Sequence, residues 1–270
     1  MNCNICKSKM TMIFNSRILE KYDVDYYNCE TCAFLCTEKP NWLEEAYEEP
    51  INYTDTGLIA RNIRLSKLIS IICYFCFNNK KYLDHAGGYG VLTRLMRDLG
   101  FDFFWKDPYT ENIFSKGFEF EGMGTTKFEV LTSVEAFEHF EYPSKEIEKM
   151  LTMANNIFFT TELFDSQNIP EIEDWWYYGT EHGQHISFYS LKTLEKIADK
   201  YQLNLFSNGR DIHLLTSHPK NSLNIKTIFG LFSNSFISRI LVEIIFLFVK
   251  FKKTGKTHSD AMLVQNRLKP

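Results

Sequence analysis

Lys81-Tyr82-Leu83-Asp84-His85-Ala86-Gly87-Gly88-Tyr89-Gly90 decides how the chain is read. Lys81 to Asp84 is a short strand, and the glycine-rich stretch after it is a loop. Val91 to Leu99 then has helical spacing and stops at Gly100. Phe101 to Asp107 is the next strand, ending in an acid and Pro108. Strand, loop, helix and strand in this order announce a parallel α/β layer. Further strands are read at Phe128 to Ser133, Asn156 to Leu163, Leu203 to Phe206 and Ile212 to Thr216, with a helix at Leu191 to Tyr201. Asn208-Gly209 between the last two strands favours a tight hairpin. The expected fold is a doubly wound α/β domain, parallel for most of its width and antiparallel at its last connection.

The glycine loop lacks the marks of the common phosphate binders. A dinucleotide fingerprint starting at Gly88-x-Gly90 would need a third glycine where Thr93 stands, and no Gly-Lys-Ser/Thr run follows. Asp107 lies 20 residues past Gly87 at the end of a strand, where a carboxylate accepts hydrogen bonds from a ribose diol. A nucleoside without a pyrophosphate fits, and S-adenosylmethionine is the candidate. Residues 82–90 resemble motif I of class I S-adenosylmethionine-dependent methyltransferases. That resemblance implies a mostly parallel seven-stranded sheet with a C-terminal antiparallel hairpin. It also implies a cofactor site at Asp84, Ala86, Gly87, Gly88, Gly90 and Asp107. The pattern departs at Ala86, where the family usually carries glycine.

The chain of 270 residues is 44% hydrophobic and 24% charged, which excludes wholesale disorder. Its net charge of −4 gives no overall basic field for nucleic acid. Seven cysteines are too dilute for a disulfide scaffold, and no apolar signal run opens the sequence, so a cytoplasmic, reducing location is expected. Cys3-x-x-Cys6 and Cys29-x-x-Cys32 are two knuckles whose thiolates suit one tetrahedral zinc ion. With four thiolates and no open position, that zinc would be structural. Cys36 lies outside the pattern, and Cys73-x-x-Cys76, inside an apolar run, reads as helix core.

Methyl transfer from a sulfonium is mostly positioning, and a base is needed only where the acceptor must lose a proton. Two segments can supply one. Glu138-His139 follows a strand at the sheet edge that borders ligands in α/β folds. Glu181-His182-Gly183-Gln184-His185 sits in a long polar and aromatic segment with Trp175, Trp176, Tyr177 and Tyr178, read as a substrate loop. Its two histidines are three apart with a glycine between them, unlike a metalloprotease pair.

A more specific resemblance covers residues 1–217. The four-cysteine ribbon, Asp55-Thr56-Gly57 with Arg61-Asn62, and residues 183–190 look like bacterial surface-glycan and nucleotide-sugar methyltransferases. That likeness implies a sugar or nucleotide-sugar acceptor, with His185 placed as the general base. A degenerate, non-catalytic zinc-ribbon protein and a nucleic-acid methyltransferase stay as rivals. The acidic balance and the missing Asn/Asp-Pro-Pro-Tyr argue against nucleic acid.

The organisation expected is a zinc ribbon at 1–45, a methyltransferase domain at 46–218 and a helical extension at 219–270. In the extension, residues 236–251 are strongly apolar, but the uninterrupted run Ile244 to Val249 is far too short to span a bilayer. A helix docked on the domain, a homodimer contact, or a peripheral contact with the inner membrane face aided by Lys250, Lys252 and Lys253 are the readings it allows.

Overall fold

The computed structural model describes residues 1–48, 55–77, 80–120, 127–217, 222–232 and 236–267. The chain opens with β1 (Thr11–Ile18), β2 (Tyr22–Asn28), β3 (Leu35–Thr37) and α1 (Leu43–Ala46). It continues through α2 (Leu58–Cys76), β4 (Lys81–His85), α3 (Val91–Asp98), β5 (Asp102–Lys106) and β6 (Val130–Ser133). Next come α4 (Pro143–Met153), β7 (Asn156–Thr160), β8 (Leu163–Phe164), β9 (Ser187–Ser190) and α5 (Leu191–Tyr201). The chain ends with β10 (Asn204–Ser207), β11 (Ile212–Thr216), α6 (Ser222–Leu231), α7 (Phe236–Lys252) and α8 (Thr257–Arg267).

The strands form two sheets, of order β1-β2-β3-β9-β8 and β10-β11-β7-β6-β4-β5. The fold is mixed α/β, as expected, but the second sheet has six strands rather than seven. The extra pairing at β5 is reduced to a single parallel bridge, Trp105 to Glu119. Two backbone hydrogen bonds make it, from Trp105 N to Phe118 O and from Phe120 N to Trp105 O. The β10–β11 pair is antiparallel, with Ser207 opposite His213. Its loop is wider than the two-residue turn that Asn208-Gly209 suggests. The Asn208 side-chain oxygen accepts the N–H groups of Arg210, Asp211 and Ile212. A single asparagine thus organises the loop.

Two compact units make up the chain, and the first comprises Met1–Tyr53, Val134–Leu151 and Phe159–Ser217. Its sheet is antiparallel from β1 to β9, and β8 joins β9 in parallel. Val24, Tyr26, Leu35 and Trp42 share one core cluster with Phe164, Tyr177, Tyr178, Ile186 and Phe188. The N-terminal strands are too short to bury a core of their own, and these later residues supply it. Tyr177 and Tyr178 are therefore core residues, Trp175 packs against them, and of the four aromatics only Trp176 is exposed. Helix α5 starts at a capping box in which Ser190 and Thr193 exchange side-chain and backbone hydrogen bonds.

The second unit comprises Thr54–Ser133, Thr152–Phe158 and His218–Pro270. Here β4 lies between β5 and β6, both parallel to it, with Asp84 opposite Trp105 on one side and Thr132 on the other. Cys73 and Cys76 are buried on α2, with burial pushing both thiols up. At the start of that helix Arg61 holds Asp55 through both carboxylate oxygens, at 3.0 and 2.6 Å. The C-terminal helices belong to this unit. Lys67 of α2 pairs with Glu243 of α7 at 2.6 Å, and Phe75 stacks on Phe248. Helix α7 also carries exposed Ile237, Ile240, Ile244, Leu247 and Phe251. Among the described residues no helix is long and apolar enough to cross a membrane.

Candidate functional site

The glycine loop springs from β4 and is held in left-handed backbone at Ala86 (φ +56), Gly88 (φ +52) and Gly90 (φ +85). Gly90 is also the residue from which α3 starts. At Gly87 a Cβ would stand 2.8 Å from the Trp105 ring and 3.0 Å from an Asp84 oxygen; at Gly90 it would meet Asn112 at 2.6 Å. Those two positions need glycine for room. Gly88 instead faces open space, and a Cβ there would meet nothing within 4 Å. Ala86 takes the left-handed conformation in spite of its methyl group, at a steric cost of about 1–2 kcal/mol. Replacing it by glycine removes that cost and adds a smaller loss of unfolded-state entropy. Ala86→Gly is therefore expected to raise unfolding free energy in urea by about 0.5–1 kcal/mol, and Ala86→Val to lower it, since β-branched residues resist this region. Equal urea midpoints for all three chains would refute the strain.

Asp84 is buried and accepts hydrogen bonds from the Thr93 and Thr132 hydroxyls, at 2.9 and 2.8 Å. Burial raises its carboxyl to about 6 against the lowering effect of those bonds. It anchors strand, helix and loop beneath Gly87, and its side chain is enclosed by protein. Asp107 stands at the end of β5, as expected, and its carboxylate is aimed at the loop. Oδ2 accepts Gly88 N–H at 2.9 Å, while Oδ1 accepts Tyr109 and Thr110 N–H at 2.8 and 3.0 Å. Asp107-Pro108 is thus a turn starter as well as a loop clamp. Sequence reasoning missed the other clamps. Trp105 Nε1–H and the Thr110 hydroxyl both donate to Gly88 O, at 2.9 and 2.8 Å, and Ser115 donates to Gly90 O at 2.8 Å. Only the Asp-Pro dipeptide could have signalled this bridge.

In the other unit, the four N-terminal cysteines meet. Cys3 Sγ is 3.6 Å from Cys32 Sγ and Cys6 Sγ is 3.4 Å from Cys29 Sγ. All four sulfurs lie within 4.8 Å of one another. A zinc–sulfur bond of about 2.3 Å in a tetrahedron sets sulfurs about 3.8 Å apart, so the donor set fits such an ion. Lys7 and Ala33, one in each knuckle, have left-handed backbone, and Ile5 N–H points at Cys3 Sγ at 3.4 Å. Cys36 is buried on β3, outside the group.

The same unit brings Glu138, His139 and His185 together, with one candidate ligand atom of each within 4.8 Å of the others. Glu138 and His139 lie in a single turn of 3-10 helix, Phe137–His139. That turn is held by the segment from 184 to 190. Ile186 N–H donates to Glu138 O at 2.9 Å, and Tyr189 O–H donates to Phe137 O at 2.9 Å. His139 Nδ1 is 3.0 Å from both the Gln184 carbonyl and the Tyr47 hydroxyl, and His185 Nδ1 is 2.6 Å from the Tyr177 carbonyl. A carbonyl only accepts, so each ring carries its proton on Nδ1 and its lone pair on Nε2. The two rings meet edge to face at 5.0 Å, and His182 stands 4.8 Å from His185. Burial holds His139 down to about 4 and, with the nearby Glu135 charge, pushes Glu138 up to about 8. The Tyr177 and Thr161 hydroxyls near that carboxyl are bonded to each other at 3.1 Å. Gly183 lets the loop pass, since a Cβ there would meet Ile18 at 2.6 Å, and Trp42 donates to its carbonyl at 2.8 Å.

A family model described as a methyltransferase domain matches residues 59–208, more than half of the chain. No curated protein matches the sequence. Among solved structures, the chain is similar to the plantazolicin methyltransferase BpumL bound to SAH, at 11% identity and TM-score 0.47, over 65% of this chain and 90% of that one. It is similar to a possible histamine N-methyltransferase from Thermotoga maritima at 12% identity and TM-score 0.43, over 66% and 98%. For human N-acetylserotonin methyltransferase the values are 12% and 0.41, over 65% of each chain.

Proposed function

The chain belongs to the methyltransferase-domain family, and from that premise we propose that it moves a methyl group from S-adenosylmethionine to a sugar or nucleotide-sugar. The observation that carries the cofactor is the glycine loop, left-handed at three positions, with the Asp107 carboxylate turned toward it. Gly88, with open space where a Cβ would stand, and the neighbouring backbone would cradle the nucleoside. Asp107 would hold the ribose diol, using the acceptor capacity left by its three backbone bonds. When bound, the cofactor supplies a sulfonium-activated methyl group; the protein's own work is to orient the acceptor and handle its proton.

That proton is assigned to the cluster of Glu138, His139 and His185. Both histidines are anchored through Nδ1, which presents an oriented lone pair on Nε2. The sugar class rests on the combination of ribbon, Asp55 to Asn62 segment and residues 183–190, and exposed Trp176 offers one apolar face for a ring. The four cysteines are assigned to a structural zinc ion, for which their spacing and sulfur-only donor set are suited.

Labelled methyl transfer to a panel of nucleotide sugars, with RNA alongside, tests the assignment. His185→Asn is expected to keep cofactor binding in calorimetry and to lose turnover by about 10²–10⁴-fold. Absent cofactor binding at millimolar concentration would sink the activity; unimpaired turnover in the variant would free the cluster of its role.

A further inference from the structure

Glu138 is the anomaly in the first unit. Its side chain is fully buried, and neither carboxyl oxygen has a hydrogen-bond partner. Burying a polar group in that way is unfavourable, and in a folded protein it calls for an explanation such as a bound ion. His139 and His185 each bring a ring nitrogen within 4.8 Å of that carboxylate. Each imidazole is fixed at Nδ1 by a backbone carbonyl, Gln184 O for one and Tyr177 O for the other. Metal-ligating histidines commonly donate one ring N–H to a backbone carbonyl and ligate through the other nitrogen.

We propose that Glu138, His139 and His185 form a binding site for a divalent transition-metal cation, separate from the four cysteines. Metal–nitrogen and metal–oxygen bonds of about 2.0–2.2 Å place tetrahedral ligands about 3.4 Å apart. The three candidate ligand atoms lie within 4.8 Å of one another, and a bound ion would draw them to that spacing. Two imidazoles and one carboxylate select zinc, iron, cobalt or manganese over calcium and magnesium. The thiolate site takes the softer ions, so the two can be filled independently. Three protein ligands leave coordination positions open, unlike the four-cysteine site.

The use of those positions rests on the methyltransferase reading. A hydroxyl held by the cation would be more acidic and would release its proton to water. With the ion bound, the histidines act as its ligands, and it takes over the acid–base work that the imidazoles do without it.

The test uses the full chain, loaded to one zinc and titrated with manganese(II), followed by calorimetry and electron paramagnetic resonance. One further equivalent is expected to bind. Glu138→Gln and His139→Ala are expected to weaken it at least tenfold, and Glu181→Gln to leave it unchanged. Because a buried variant can unfold, the unmodified chain is also read by proton resonance. Manganese should broaden the His139 and His185 imidazole signals and spare His258. No second equivalent at millimolar manganese, or broadening confined to other residues, overturns the site. Since no methyl transfer is measured, a bound second equivalent upholds the site even if every acceptor fails, and the two readings can fall separately.

Discussion

Replacing Cys29 by serine is expected to abolish the zinc held by the four cysteines and to lower the melting temperature by roughly 10 °C or more. Structural zinc contributes about 10–16 kcal/mol of apparent binding free energy in zinc-finger peptides at pH 7. This chain has additional core to fall back on, so a loss of about 4 kcal/mol is a conservative share, and each kcal/mol is worth about 2–4 °C at this size. The damage should not stay in the ribbon. Strand β3 pairs with β9 through Leu35 to Phe188 and Cys36 to Ser187. Thr193 and Ser190 donate to the carbonyls of Cys32 and Ala33, and Asn4 bridges to Glu141 and Ser144. Loosened knuckles therefore release the segment that carries His185 and the turn that carries His139. Metal analysis, melting curves and His139–His185 resonances together read this chain of effects. Cys73→Ala is the control, since Cys73 lies in α2 and should leave zinc content unchanged. An unaltered melting temperature in Cys29→Ser would refute the structural ion.

Asp260→Ala should destabilise the second unit by about 3–5 kcal/mol, again near 10 °C in melting temperature. Arg97 and Asp260 are 3% and 5% exposed, so neither can turn to water once its partner is gone. Two parallel bonds join them, Nε to Oδ2 and Nη2 to Oδ1, both 2.8 Å, and Arg94 adds a third at 2.9 Å. Arg97 also donates to Phe103 O at 2.7 Å and lies over the Phe118 ring at 3.6 Å. Burial alone would raise the Asp260 carboxyl, but the Arg97 bonds outweigh it and hold the group below its ordinary value. Its contribution is thus present above the unfolded carboxylate range near pH 4 and lost as acid carries the pH down through the folded value. Glu243→Gln, which breaks the exposed pair with Lys67, should cost less than about 1 kcal/mol in the same denaturation experiment. Similar losses for both variants would contradict the difference in burial. The C-terminal helices are consequently part of the folded unit, and deleting residues 219–270 would strand a buried guanidinium.

Several features were legible because they are local. The two cysteine knuckles are each four residues long, and a tight turn brings both thiolates to one side without help from distant chain. The strand before Gly87, the helix after Gly90 and the acid closing the next strand repeat a spacing that backbone geometry imposes. Helix α5 was legible from its periodicity. The strand expected from Asn156 to Leu163 stops at Thr160, and Leu163 and Phe164 enter the other sheet, a choice that pattern alone does not encode. The aromatic run at 175–178 looked like a ligand platform, yet Tyr177 and Tyr178 are drawn inward because the short N-terminal strands need a core.

The sequence by itself determined the α/β class, the glycine loop with Asp107 and the four-cysteine group, since each is written in residues a few positions apart or at a spacing set by one strand and one helix. Only the tertiary structure decided that Ala86 adopts a glycine's backbone, that Trp105 and Thr110 clamp the loop, and that Glu138 and His139 share a cluster with His185. It alone joined Arg97 to Asp260 across 163 residues. Such pairings depend on which segments pack together, and packing is chosen by burial and hydrogen bonding summed over the whole unit, which no short stretch of chain contains.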